Sequence, residues 1–156
     1  MPNPEPSPTT EEHMDYDFTS QIGYLLRRAY QRHTEIFQKN AYDPQLTSTQ
    51  FVTLCALHDN GPSSQTELTR ATSIDQGTIR GLITRLEKRH LVELKTAMDD
   101  KRKVIVHITD KGEALYQSML PSALQISELT ASGLNQAERV ALFFLLKKMT
   151  GRNELN

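Results

Sequence analysis

Apolar residues recur at intervals of three and four from Ile22 onward. Ile22, Leu25, Leu26, Ala29, Tyr30, His33, Ile36 and Phe37 share one helical face, and Tyr42-Asp43-Pro44 ends the run. Thr47-Ser-Thr-Gln50 reads as a capping box for a second helix, which carries Phe51, Leu54, Cys55 and Leu57 to about His58 before Asn60-Gly61-Pro62 stops it. Ser64-Gln-Thr-Glu67 is another capping box. It opens a short helix built on Leu68, broken at Thr72-Ser73-Ile74. Asp75 caps a fourth helix with Ile79, Leu82, Ile83 and Leu86 on its inner side. The period then changes to two. Val92 and Leu94 alternate with Glu93 and Lys95, and Val104, Val106 and Ile108 alternate with Ile105 and His107. The polar stretch between them predicts a two-stranded hairpin with a charged tip. Thr109 and Gly112 lead into a fifth helix with Leu115, Met119, Ala123, Ile126 and Leu129 on one side. Pro121 falls inside it and is expected to bend or weaken it. Asn135-Gln-Ala-Glu138 caps a last helix carrying Val140, Phe143, Phe144, Leu146 and Met149.

This order predicts a mainly α fold with a small β-hairpin: a winged helix-turn-helix with N- and C-terminal dimerisation helices. Residues 1–16, with four prolines, read as a flexible acidic tail. Residues 17–46 form the N-terminal dimerisation helix, 47–110 the winged lobe, 111–150 the C-terminal dimerisation helices and 151–156 a tail. Leu- and Phe-rich helices at both ends are what a homodimer interface needs.

Composition agrees. With 156 residues and 37% hydrophobic content, the chain suits one domain that buries part of its apolar surface on a partner. The longest apolar run, Val140 to Leu146, is far short of a bilayer span, and no signal peptide opens the chain, so the expected location is cytoplasmic with no membrane partner. A lone Cys55 excludes a disulfide framework and a cysteine-rich metal site. The net charge of −1 conceals a segregation. Residues 1–17 hold five carboxylates and no Lys or Arg, whereas residues 61–112 carry ten basic groups against seven acidic ones. The near-neutral total therefore does not argue against nucleic acid, because the charge of the binding face decides.

That basic stretch holds the candidate chemistry. The helix opened by Asp75 presents Gln76, Thr78, Arg80, Thr84, Arg85 and Lys88 opposite its apolar stripe. Gly77 and Gly81 each weaken it by about 1 kcal/mol relative to alanine, which suits a face that something large must approach. A DNA major groove admits a helix, and Thr, Gln and Arg reach base edges or phosphates there. The hairpin tip offers Arg102, a planar guanidinium suited to a narrow minor groove, with Asp100 placed to pair with it. No metal-ligand spacing, phosphate loop, dinucleotide fingerprint or nucleophile elbow is present, so neither enzyme chemistry nor a cofactor is expected.

Leu86-Glu-Lys-Arg-His-Leu-Val92, Asp99-Asp-Lys-Arg102 and Thr109-Asp-Lys-Gly112 together resemble the MarR family of winged-helix regulators, over about residues 18–150. The resemblance implies a homodimer on a pseudo-palindromic double-stranded operator, with recognition helices in successive major grooves and wings in flanking minor grooves. It makes Asp100 and Arg102 the wing pair. It places Gln76, Thr78, Arg80, Thr84 and Arg85 on the recognition helix, and Ser64 and Gln65 at the start of a phosphate-facing helix. His90 departs from the family's usual glycine where a left-handed conformation is expected, at a small local cost in stability. The family implies a repressor released by a small phenolic or aromatic carboxylate bound between the dimerisation helices and the DNA-binding lobe. Tyr24, Arg28, His33, Phe51, Cys55 and His58 are the candidates there, with Arg28 suited to the carboxylate. Ile22-Gly-Tyr-Leu-Leu-Arg-Arg-Ala-Tyr-Gln-Arg-His33 resembles a subgroup controlling nicotinate or other aromatic-acid breakdown. Two alternatives stand beside this reading: redox sensing through Cys55, and a winged helix used for protein contacts.

Overall fold

The computed structural model of the chain describes residues 14–151. The tail read over 1–16 lies outside the described residues except for its last three, and that read over 151–156 does so beyond Gly151. Asp17 caps a short 3-10 turn, Phe18–Ser20, by accepting from Thr19 and Ser20, and α1 (Ile22–Asn40) follows it. The first helix therefore starts at Ile22, where the apolar pattern begins. α2 (Ser48–Asn60), α3 (Gln65–Thr72) and α4 (Gln76–Lys88) form the helix-turn-helix lobe. The capping boxes of Thr47 with Gln50 and of Ser64 with Glu67 are formed, and α2 runs to Asn60, where Gly61 turns the chain at φ 76°. α5 (Asp110–Thr130) continues through Pro121, and α6 (Gln136–Met149) begins at a capping box of Asn135 with Glu138.

The hairpin read from the sequence is the larger part of a three-stranded antiparallel sheet. β1 (Ser63–Ser64) pairs with β3 (Val104–Ile108), which pairs with β2 (Val92–Thr96), in the order β1-β3-β2. A two-residue strand has no alternation to betray it, and Ser64 carries only the signal of a helix cap. Leu94 and Ser63 both stand opposite Val106, which fixes the register on the buried Val106 side chain.

One core joins these elements. Leu54 and Leu57 of α2, Leu68 of α3, Ile79 and Leu86 of α4, and Val106 are at most 2% exposed, and Met119 and Ile126 of α5 close it from above. The end helices differ. Ile22, Leu25, Leu26 and Tyr30 of α1 are exposed, as are Val140, Phe143, Phe144, Leu145 and Met149 of α6, and α6 buries no residue within the chain. No helix among the described residues is long and apolar enough to cross a membrane.

Candidate functional site

The seat of α4 is built from backbone contacts. Its chain leaves the helix through Arg89 and His90, the latter at φ 59°, the left-handed turn expected of that position. Thr109 then clasps this turn. Its hydroxyl donates to the His90 carbonyl at 2.6 Å and accepts from the Gly112 N–H at 3.0 Å, capping α5, while its N–H donates to the Leu91 carbonyl at 3.1 Å. Gly112 is required there: a Cβ would lie 2.1 Å from the Leu91 carbonyl oxygen. The Thr109–Gly112 segment thus ties the start of α5 to the end of α4. A second tie comes from the α1–α2 loop, where Asp43 pairs with Arg89, and Lys111 donates to the Arg89 carbonyl at 2.8 Å. Sequence reasoning missed this cluster, because Asp43 and Arg89 are 46 residues apart with no local pattern.

Ile79, Leu82, Ile83 and Leu86 face the core, and Gln76, Thr78, Arg80, Thr84, Arg85 and Lys88 face solvent. At 3.6 residues per turn, Gly77, Gly81, Thr84 and Lys88 run along the middle of the outward face. Gln76 and Arg80 lie on one flank, Thr78 and Arg85 on the other. Several hydroxyls are already engaged. Thr78 donates to Asp75 at 2.6 Å while its N–H donates to the same carboxylate at 2.9 Å, and Thr84 donates to the Arg80 carbonyl at 3.1 Å. Asp75 is held below the usual carboxylate range by the Thr78 hydroxyl and N–H. Ser64 likewise accepts from the Glu67 N–H, and its own N–H donates to the Glu67 carboxylate at 2.7 Å. Ser64 therefore organises the start of α3, and Glu67 brings a negative charge to that end. Among the described residues, the long side chains of Gln76, Arg80 and Arg85 on the outward side of α4 make no hydrogen bond or ion pair.

The wing departs from expectation in one contact. Asp100 accepts from the backbone N–H of Arg102 at 2.9 Å and makes no ion pair with its guanidinium. A two-residue separation suits a carboxylate closing a turn on the backbone, which leaves the Arg102 guanidinium without an ion pair among the described residues. Ala97 donates to the Lys103 carbonyl at 2.8 Å and closes the tip.

These elements enclose an open groove of about 420 Å³. Ser64, Gln65 and Thr66 of the α3 start, Gln76 and Arg80 of α4, and Arg102 and Lys103 of the wing line it over a floor of Ile83, Leu94, Val104 and Val106. Ser64, Gln65, Gln76, Arg80 and Arg102 thus meet at one place, while Thr78, Thr84, Arg85 and Asp100 lie outside the groove. Lys103 joins them from the charged wing tip, and Thr66 joins them without having been singled out in the sequence.

A second, smaller cavity of about 170 Å³ lies between the end helices and the lobe. His33 and Phe37 of α1, Ser48, Phe51 and Val52 of α2, and Ala123, Ile126 and Ser127 of α5 line it. Of the six effector candidates, His33 and Phe51 are there. Tyr24 lies on the opposite side of α1, edge-on to Phe18 at 5.4 Å, and exposed Arg28 is off the His33 face as well. Neither lines the cavity. His58 pairs with Glu113 at 2.7 Å and stacks on Tyr116 at 4.1 Å. Tyr116 stacks in turn on Phe51. Cys55 is half-buried, and burial, followed by the charge of Asp59, pushes its thiol up to about 11. A peroxide-sensing cysteine needs a thiolate near neutral pH, and this environment suppresses one.

A helix-turn-helix followed by a cation-tipped wing, both bordering one open groove, defines a winged-helix DNA-binding protein. The MarR family profile matches residues 46–104. The transcriptional repressor NicR of Pseudomonas putida is 57% identical over 149 residues, covering 96% of this chain and 94% of NicR. BpsR of Bordetella bronchiseptica, whose DNA binding is regulated by 6-hydroxynicotinic acid, superposes with a TM-score of 0.83 at 50% identity, over 88% of this chain and 98% of BpsR. A variant of MarR from E. coli in complex with operator DNA superposes with a TM-score of 0.75 at 25% identity, over 86% of this chain and 99% of that one. The chain belongs to the MarR family. It is a DNA-binding transcriptional regulator and not an enzyme.

Proposed function

We propose that two copies of this chain, joined through α1, α5 and α6, repress transcription in the cytoplasm from a pseudo-palindromic operator and release it on binding a small aromatic acid of the 6-hydroxynicotinic type. The observation that carries the DNA-binding half is the convergence of Gln76, Arg80 and Arg102 on one groove. In this reading Gln76, Thr78, Arg80, Thr84 and Arg85 enter the major groove. Arg102 enters the minor groove from a turn braced by Asp100, and Ser64 and Gln65 approach phosphates. The exposed apolar side chains along α1 and α6 support the dimer, since a contiguous exposed apolar patch marks an interaction surface. The effector half is supported by 50% identity to BpsR and by a cavity of about 170 Å³, close to the roughly 150 Å³ that admits a benzene ring.

Fluorescence anisotropy on operator DNA selected from the source genome tests this. Binding is expected to weaken steeply between about 50 and 200 mM salt. Arg102→Ala is expected to cost about 1–3 kcal/mol, and 6-hydroxynicotinic acid is expected to release the DNA. Salt-insensitive association with duplex DNA would instead assign the lobe to protein contacts. A monomer in sedimentation would overturn the dimer.

A further inference from the structure

We infer that His33 meets the effector as a hydrogen-bond acceptor, so that the cavity selects a single aromatic ring bearing an O–H or N–H donor. This rests on the effector reading above and adds a rule of selection to it. Proton placement decides the role of His33. The hydroxyl of Thr130 has one proton, and it goes to the Ile126 carbonyl at 2.8 Å. The 3.0 Å contact between His33 Nδ1 and Thr130 Oγ1 therefore has the imidazole as donor. With Nδ1 protonated, a neutral ring has its lone pair on Nε2. Burial favours the neutral ring by lowering its pKa. Nε2 has no partner among the described residues, and the ring lines the cavity.

The remaining walls sharpen the rule. The side chains of Phe37, Phe51, Val52, Ala123 and Ile126 offer no polar group, and the hydroxyls of Ser48 and Ser127 can turn to donate or accept. Nε2 is thus the cavity's fixed acceptor. A ring without a donor covers Nε2 without satisfying it, the kind of mismatch a polar site rejects most strongly. A hydroxylated pyridine carboxylate supplies the donor in either ring tautomer, from O–H or from ring N–H. The competing role for His33, pairing as a cation with the ligand carboxylate, makes no such distinction.

Calorimetric titration of the full-length protein with 6-hydroxynicotinic, 6-methoxynicotinic and nicotinic acids separates these roles. The methoxy compound keeps the ring and carboxylate but has no donor. The hydroxy compound is expected to bind at least about tenfold more tightly than either of the others. That preference should vanish in His33→Phe and persist in part in His33→Gln, whose amide oxygen still accepts. Equal affinity for the hydroxy and methoxy compounds overturns the role of His33 while leaving an aromatic-acid effector in place. Failure of all three to bind overturns the effector reading and this inference together. Nitrogen NMR of the imidazole checks the proton placement without any ligand: an Nε2-protonated ring overturns the inference directly.

Discussion

Gly112 lies so close to Leu91 that a Cβ on it would stand 2.1 Å from the Leu91 carbonyl oxygen and 2.8 Å from the Ile108 side chain. This contact seats the first turn of α5 on the segment that leaves α4, and the Thr109 hydroxyl bond to the His90 carbonyl holds the same joint. Gly112→Ala is expected to push the two elements apart. Its cost should exceed the 0.5–1 kcal/mol by which alanine ordinarily favours a helix over glycine, giving a net loss of roughly 2–3 kcal/mol. Urea denaturation measures this. Operator affinity should also fall at concentrations where the variant is still folded, because α4 is displaced.

Much of this joint is readable in the sequence, though its purpose is not. The Thr109-to-Gly112 spacing announces a cap and a family resemblance. Why glycine stands there becomes clear only when Leu91 is brought beside it. The same division holds elsewhere. The inner stripe of α4 is legible because burial repeats every three or four residues, and all four of its apolar positions are in the core. The capping boxes at Thr47, Ser64 and Asn135 are legible too, whereas the Asp100 bond to the Arg102 N–H, only two residues away, is not. Contacts across the fold, such as Asp43 with Arg89 or His58 with Glu113, leave no periodic trace. The fold scatters the effector candidates: His33 and Phe51 line the cavity, and Tyr24, Arg28, Cys55 and His58 lie elsewhere. Tyr24 and His33 share one helix, yet nine residues at 3.6 per turn place them on opposite sides.

Gly81 has the opposite character to Gly112. A Cβ at Gly81 meets nothing within 4 Å, so the fold itself has no need of glycine there. Gly81→Ala is expected to stabilise the protein by up to about 1 kcal/mol through helix propensity. Because Gly81 lies on the middle of the outward face, the added methyl should hinder close approach of DNA and weaken operator binding. A rise in melting temperature with a loss of affinity is the expected pair. Unchanged affinity would show that α4 does not approach DNA along that line.

Thr78 has both its N–H and its hydroxyl proton committed to Asp75, which leaves its methyl as the uncommitted apolar group of an exposed side chain. A threonine methyl in a major groove packs on the C5-methyl of thymine. Replacing single thymines of the operator by deoxyuridine should therefore weaken binding of the unaltered protein at one position per half-site. Thr78→Ser, which keeps the hydroxyl and its bond to Asp75, should lose sensitivity at that position alone. Thr78→Val should retain it, at some cost in capping. Sensitivity that survives in Thr78→Ser would assign the thymine contact to another side chain.

The Asp43–Arg89 pair gives a prediction in pH. Burial alone would raise the Asp43 pKa, but the Arg89 hydrogen bond, the Gln45 N–H and the charges of Arg89 and Lys111 outweigh it, and the group is held below its ordinary value. A carboxyl depressed in the folded state contributes stability that is fully present above its unfolded pKa and is lost as pH falls through the folded one. Asp43→Asn should thus destabilise the protein near neutral pH by roughly 1–2 kcal/mol, between the values for exposed and buried pairs. The gap between variant and unaltered protein should narrow as pH drops below about 4. The pair joins the α1–α2 loop to the residue that ends α4, so the variant should also hold its recognition helices less rigidly. It is expected to tolerate altered half-site spacing that the unaltered protein rejects. Chemical denaturation from pH 7 to pH 3, with anisotropy on operators lengthened by one base pair, checks both. A pH-independent stability gap would mean that the carboxylate charge of Asp43 is not what ties loop to helix.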